Sequence, residues 1–359
     1  MIVGQHQAVS IHTRTGVPMF QYLPSQISDG VWARDSRDTS RCSLTLPPDD
    51  HLETLEIIPW LHWASVWDMD APSDEALLWT GPIMSATLNR QSLQIEARDC
   101  SAFMTRTRIP MTKRWDATDV ALIAAEMWQD MLELHGINQQ PVVELDPDGN
   151  VFNYSTVAEE QMMSDAMDEL VGLGLRWTVV SGVPILGPAP KNAIASLGPE
   201  HFAGDGLTLN RDGTSLYNDV LLLAGDARAH ARVPAAGLNL QSIFTRDNVF
   251  SVSNAERAVY EAAKYYSAVR DAVTLPGGSQ LTPDAPLDIK QLIPSVRVDV
   301  TAYGQTYRMS VEQVDVPMNG DNVSVSMESV IDDLPELSNV SSQQLGGSSS
   351  GGATGGSDR

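Results

Sequence analysis

Apolar and polar positions alternate through most of residues 1–110, which marks strands rather than helices. Ala8-Val-Ser-Ile-His-Thr13 alternates, Gly16-Val-Pro18 supplies a turn, and Met19-Phe-Gln-Tyr-Leu23 follows. Ser43-Leu-Thr-Leu46 alternates again until Pro47-Pro48 stops it. A long apolar and aromatic strand region runs from Ile57 to Trp67, and an acidic loop from Asp68 to Glu75 separates it from Leu77-Leu-Trp79. The most informative stretch comes next. Trp79-Thr-Gly-Pro-Ile83 and Leu93-Gln-Ile-Glu-Ala97 read as paired strands with a tight return at Asn89-Arg-Gln-Ser92, then Arg98-Asp99 and the basic run Arg106-Thr-Arg-Ile-Pro110.

Helical periodicity begins only after Lys113. Asp116-Ala-Thr-Asp119 has the spacing of a capping box, and Val120, Ile123, Ala124, Met127, Met131 and Leu134 form one face that ends at Gly136. Thr156-Val-Ala-Glu159 has the same spacing and predicts a second helix, with Met162, Met163, Ala166 and Leu170 inward and Gly172 and Gly174 closing it. Between them Val142-Val-Glu-Leu145 and Val151-Phe-Asn-Tyr154, joined by Asp146-Pro-Asp-Gly149, predict a hairpin. Arg176-Trp-Thr-Val-Val180, Ser181-Gly182 and Val183-Pro-Ile-Leu186 predict another. Residues 113–198 thus read as an inserted α+β domain.

Strand character returns at Leu207-Thr-Leu209 and Asn218-Asp-Val-Leu-Leu-Leu-Ala224, and strands from 199–252 are expected to complete the N-terminal unit of 1–112. Ser253-Asn-Ala-Glu256 caps a long helix expected over 253–275, with Val259, Ala262, Ala263, Tyr266, Val269 and Val273 inward and Pro276-Gly-Gly breaking it. Residues 276–334 read as a second β unit: Val296-Arg-Val-Asp-Val300, Thr306 to Val316, a turn with Asn319-Gly320, and Val323-Ser-Val-Ser-Met327. Residues 335–359 are expected to form a flexible tail, Gly/Ser-rich from Ser341. The fold class is α+β and β-rich. Thr80–Ala97 and Tyr307–Glu328 share one logic, strand, short polar return, strand, which raises the question of two related small β-barrels.

Composition changes the picture in one respect. The 359 residues carry 46 acidic against 23 basic side chains, a net charge of −23. Gripping nucleic acid requires clustered Lys and Arg, so sequence-specific binding is excluded as an expectation. The charge suits a protein that repels polyanions or whose acidic faces meet partners. Arg98, Arg106, Arg108, Lys113 and Arg114 are the basic cluster, either a solvated rim or an ion-pairing patch for an acidic neighbour or another copy. The two cysteines, Cys42 and Cys100, sit on strand-like segments and are expected as buried free thiols made in a reducing cytoplasm. No run approaches 18 uncharged apolar residues, and the N-terminus lacks the basic and apolar regions of a signal peptide.

Searches for chemistry return nothing catalytic. Asp146-Pro-Asp-Gly-Asn150 fails as a calcium loop because its sixth and twelfth positions are Val151 and Val157. Gly347-Ser-Ser-Ser-Gly351 matches a nucleophile elbow only literally, inside a Gly/Ser tail. The seven histidines lack metal-ligand spacing. No enzyme, cofactor or metal site is expected. Trp60, Trp63, Trp67 and Trp79 are core or interface residues, or else a sugar platform.

Several segments resemble minor tail proteins of long-tailed phages of actinobacteria. They are Ile27-Ser-Asp-Gly-Val-Trp-Ala-Arg34 leading to Cys42-Ser-Leu-Thr-Leu-Pro47, Trp79–Ile83 with Ile95-Glu-Ala-Arg-Asp99, and Arg106–Pro110. Asp284-Ala-Pro-Leu-Asp-Ile-Lys-Gln-Leu-Ile-Pro294 followed by Val296–Val300 looks like the approach to that family's last barrel, with Ser295 where Gly is expected. The resemblance covers about residues 1–330 and implies a tail-tip (baseplate) hub in the virion. It implies two similar barrels per chain in a homotrimer, which joins the hexameric tail tube to three-fold tip proteins and lines the DNA exit channel. The implied partners are a distal tail or tube protein, tip or fibre proteins, and the tape measure protein. Arg98, Arg106, Arg108, Lys113, Arg114 and Trp79 are then the candidate interface residues. A carbohydrate-binding adsorption protein and, behind it, a wall-degrading enzyme are the alternatives.

Overall fold

The computed structural model describes residues 6–48, 56–73, 75–203, 207–224, 227–234, 237–245, 252–267, 270–274, 280–320, 322–330 and 340–344. Its frame is one 13-stranded sheet. From one edge the strands run Pro18–Tyr22, Gln7–Thr13, His62–Asp68, Leu77–Leu88, Leu93–Arg98, Arg41–Leu46 and Asp29–Asp35. The ladder continues through Gln305–Pro317, Ser324–Ser329 and Arg270–Thr274 to Thr208–Asp212. Arg297–Ala302 joins the side of Gln305–Pro317 and carries Ala193–Leu197 as a parallel neighbour.

The alternation read from sequence is the burial pattern of these strands. In Arg41–Leu46, Cys42, Leu44 and Leu46 point inward, and opposite them in Leu93–Arg98 are Ala97, Ile95 and Leu93. One buried cluster runs from Val9, Trp32 and Trp79 through Leu287, Ile289 and Leu292 to Val311, Val325 and Met327, so both β units share a core. Two closed barrels were expected, but among the described residues the ladder remains open at both ends. The cause is the strand Gln305–Pro317. Its first half pairs with Arg297–Ala302, and beyond a bulge at Glu312 the same edge pairs with Asp29–Asp35.

The two halves share a connectivity. His62–Asp68, Leu77–Leu88 and Leu93–Arg98 form a meander whose long middle strand shifts register between Ile83 and Ser85. Arg297–Ala302, Gln305–Pro317 and Ser324–Ser329 form another, shifted between Val311 and Gln313. In the first, Gly81 lies against backbone: a Cβ there would sit 1.8 Å from the carbonyl oxygen of Arg98. Pro82 is tolerated beside the bulge, where ladder donors are dispensable.

Helix α1, Val120–Leu134, starts where Asp119 accepts from the Ala121 amide, and it buries Val120, Ile123, Ala124, Met127 and Met131. Leu134, expected inward, is 66% exposed, because the last turn passes beyond the core. Helix α2, Met163–Val171, buries Met163, Ala166 and Leu170 and begins later than its sequence signal, since Thr156 ends the strand Phe152–Thr156. The Arg176–Gly187 hairpin forms as read, with Ser181 and Gly182 both at positive φ as a tight primed turn needs. The hairpin expected across Asp146–Gly149 does not form. Val142–Val143 instead lies parallel to Val183–Gly187, and Phe152–Thr156 pairs with Lys113–Thr118.

Strands Asp219–Ala224, Ala227–Arg232 and Gln241–Thr245 make a separate four-stranded sheet with Val340–Gln344, rather than joining the N-terminal unit. Helix α3, Val252–Tyr266, covers that sheet through Ala255, Ala258, Val259 and Ala263, and its core is continuous with that of α1 and α2. The helix is shorter than expected. Arg270–Thr274 is a strand, consistent with its β-branched Val273 and Thr274. Val340–Gln344 needs no apolar side chains to extend an edge, because the ladder uses backbone groups alone, which is why a polar tail signal concealed it. The remaining tail, Val269, Pro276 and the side chains of Ser253 and Asn254 in the expected α3 cap lie outside the described residues.

Substitutions at two positions test this frame. Gly81→Ala is expected to lose more than about 3 kcal/mol in urea denaturation, because two packed backbones must part. Ser295 sits at φ 75, as the Gly expected there would. Ser295→Gly should therefore stay within about 1 kcal/mol of the parent, while Ser295→Val loses about 1–3 kcal/mol through strain in the left-handed region.

Candidate functional site: the inter-unit corner and the basic rim

The corner Trp32–Arg37 is where the two halves of the large sheet meet the Arg176–Gly187 hairpin. Arg34 is fully buried and its guanidinium donates to the carbonyls of Ile289 (2.8 Å), Leu292 (3.2 Å) and Leu78 (3.3 Å). It also lies over the Trp32 ring, 5.0 Å from the centroid. Burial pushes its pKa down to about 10, opposed by Asp288. Arg34 thus clamps the 284–294 segment to the N-terminal unit, linking two of the segments that carry the sequence resemblance.

Three residues on, the chain turns through Arg37 at φ 60. The Ser36 amide donates to the Glu312 carbonyl (2.8 Å), the Arg37 amide donates to the Trp177 carbonyl (2.9 Å), and Arg37 Nη2 meets Glu312 Oε2 at 2.6 Å. Thr178 Oγ1 donates to the Asp35 carbonyl, and Ser36 and Ser295 share a hydroxyl contact of 3.1 Å. The Ser181-Gly182 turn docks nearby, its hydroxyl donating to Leu77 O at 2.7 Å. The strand Leu77–Leu88 therefore also receives the Ser181-Gly182 turn, through Leu77 and the methyl of Thr80.

Acidic groups gather beside this corner. Asp99 is buried and caps the following 3-10 segment, Cys100–Arg106, accepting from the amides of Ser101 and Ser40. Burial pushes its pKa up against those bonds. Asp35 is half-buried, and burial, then Asp315, Asp38 and Asp99, raise it to about 7, with Arg41 opposing. Cys42 and Cys100 are buried and free, their thiol pKa values raised by burial.

The basic residues read from sequence lie at the surface. Arg108 pairs with Glu159 (3.3 Å), Arg114 with Asp116 (2.9 Å), and Lys113 with Glu126. Arg98 and Arg106 are exposed and form no ion pair among the described residues. Arg98 stands opposite Arg41 across the ladder, a like-charge pair that repels in isolation. Trp79 does not belong with them: it is 2% exposed, because the alternation of Leu77–Leu88 turns it into the shared core. Trp63 is buried as well; Trp60 and Trp67 are half-buried, Trp60 with its ring 5.1 Å from that of Phe103 and Trp67 with its indole nitrogen donating to Ser10.

Asp146 spends its carboxylate on its own turn, accepting from the Asp148 amide and Asn150 Nδ2. Among the described residues no three His, Cys, Asp or Glu converge as a metal-ligand set, and no helix is long and apolar enough to cross a membrane. The sequence reading missed Arg34, Arg37 and Glu312, whose contacts span more than 250 residues of chain.

No protein-family model and no curated protein matches the sequence. Solved structures do match the fold. A tail protein from Neisseria meningitidis MC58 superposes with a TM-score of 0.62 at 14% identity, covering 90% of this chain and 96% of that one. The 43 kDa tail protein of prophage MuSo2 from Shewanella oneidensis gives 0.60 at 13%, covering 90% and 98%. Prophage tail protein gp18 from Listeria monocytogenes EGD-e gives 0.56 at 9%, covering 89% and 94%. At such identities the likeness is one of fold: this chain is built as those tail proteins are.

The raised pKa of Asp35 has a consequence for stability. A carboxyl with a folded-state pKa near 7 and an ordinary unfolded one near 4 contributes stability below that lower value, lost as pH rises through about 7. Asp35→Asn should raise stability at pH 8 by about 1 kcal/mol, after allowing for solvent screening, and leave it unchanged at pH 4. Urea midpoints measured across that range check it.

Proposed function

We propose that this chain is a structural protein of a phage tail, placed at the tail tip as a baseplate hub. It acts as a homotrimeric ring that joins the hexameric tail tube to three-fold tip proteins and lines the DNA exit channel. The observation that carries this reading is the fold match over nine-tenths of the chain and nearly the whole of two tail proteins. That span includes the sheet running through both β units. Two units with the same meander give three chains six similar surfaces, which suits a junction between six-fold and three-fold symmetry. The narrower assignment to minor tail proteins of actinobacterial phages belongs to this proposal and rests on the sequence segments.

Charge supports the same picture. A channel wall drawn from a chain of net charge −23 repels DNA and lets it pass without adhering. Arg98 and Arg106 then meet acidic groups of a neighbouring copy or tail protein. Arg108, Lys113 and Arg114 hold only exposed pairs worth well under about 1 kcal/mol each, so they exchange partners on docking at little cost. The partners are a distal tail or tube protein, tip or fibre proteins, and the tape measure protein. The role is architectural rather than catalytic, and it requires no cofactor.

Native mass measurement tests the assembly. The expected species is three times the 39.0 kDa chain, seen as a closed ring by negative stain. Arg98→Glu with Arg106→Glu should weaken association by about tenfold or more, through lost cross-interface charge complementarity. A compact monomer at every concentration would overturn the ring.

A further inference from the structure

A cavity of about 380 Å³ opens where the inserted domain, helix α3 and the second β unit face one another. Arg37, Arg176 and Arg297 line it from three different parts of the chain, with Leu222, Phe244 and Ala262 as an apolar wall. Four carboxylates also line it, Asp168, Glu261, Glu312 and Glu328, and the last two are engaged within the protein. Glu312 holds Arg37 at 2.6 Å, and Glu328 accepts from the Tyr265 hydroxyl at 3.3 Å. Arg297 donates to the Lys191 carbonyl at 3.1 Å.

Arg176 differs from its neighbours. Its strand, Arg176–Val180, brings it half-buried to the cavity, yet its guanidinium makes no hydrogen bond or ion pair among the described residues. Its pKa is lowered, first by burial and then by Arg37 beside it, while Glu312 and Glu328 act on it only through space. A planar fork of donors facing a cavity, with Glu312 committed to Arg37 and Glu328 to Tyr265, is matched by an incoming carboxylate that accepts two parallel hydrogen bonds.

We propose that this cleft is a carboxylate-binding site, taking a single acid group carried on an apolar stem. The acid group lies against Arg176 and Arg37, and the stem lies on Leu222, Phe244 and Ala262. Asp168 and Glu261 also line the cleft and disfavour a multiply charged anion, so phosphate is the poorer fit. The same chemistry is offered by a free fatty-type acid and by a glutamate side chain within a bound protein segment. The site is independent of the ring proposed above.

The test is NMR titration of the full-length protein with sodium hexanoate, with acetyl-Leu-Glu-Leu-amide, and with inorganic phosphate as the control. The Arg176 Nε–H resonance, assigned by its loss in Arg176→Lys, should shift saturably with at least one carboxylate and far less with phosphate. Binding should weaken by about tenfold in Arg176→Gln, as loss of a charge-assisted pair implies, and persist in Arg98→Gln. Ala262→Leu, which fills the apolar wall and leaves the arginines intact, should also block it. Response to hexanoate identifies a free-acid site, and response to the peptide alone identifies a protein segment. No saturable shift with either carboxylate, or binding that survives both Arg176→Gln and Ala262→Leu, would overturn the proposal.

Discussion

The molecule depends on what happens to one strand at Glu312. Gln305–Pro317 trades Arg297–Ala302 for Asp29–Asp35 along the same edge, and a bulge marks the exchange. A bulge leaves a residue outside the ladder, so other groups must satisfy it. Ser36 takes the Glu312 carbonyl and Arg37 takes its carboxylate. Arg34, two residues before Ser36, is committed in the opposite direction, to carbonyls at Ile289, Leu292 and Leu78. A buried guanidinium costs several kcal/mol to desolvate, and here three carbonyl acceptors, the Trp32 face and the charge of Asp288 offset part of that. The geometry is thereby specified from both sides. If the strand slipped by one residue, its inward set of Val311, Val314 and Val316 would turn to solvent and Arg34 would lose its acceptors.

Local features of this frame were legible in sequence because local physics makes them. The Leu77–Arg98 hairpin, its Asn89 turn, the Asn319-Gly320 return and the inward faces of α1 and α2 follow from periodicity and turn chemistry within about twenty residues. Partner choice was not legible. Val142–Val143 and Phe152–Thr156 look like a hairpin from their own residues, yet each found a better neighbour elsewhere. Val340–Gln344 carries almost no apolar signal, because an edge strand is held through its backbone. Arg37 and Glu312 are 275 residues apart, and no periodicity joins them. Ser295, standing where Gly is expected, keeps the left-handed backbone that a Gly there would adopt.

The same physics bears on function. Apolar alternation took Trp79 and Trp63 into the interior and left small polar and charged groups on the outer faces of the strands. What remains outside is a broad, mainly acidic surface with Arg98 and Arg106 unpaired among the described residues. Such a surface is suited to fitting against neighbours. The likeness to three tail proteins from different bacteria, at identities of 9–14%, is one of fold.

We propose that this chain belongs to the tip of a phage tail. Gold-labelled antibody against the protein, applied to particles produced from the genome that encodes it, tests the claim most directly under the electron microscope. The account predicts label confined to the distal end of the tail, with tail-less or non-ejecting particles when the gene is removed. Label on the capsid, or particles that assemble and eject DNA normally without the chain, would contradict it.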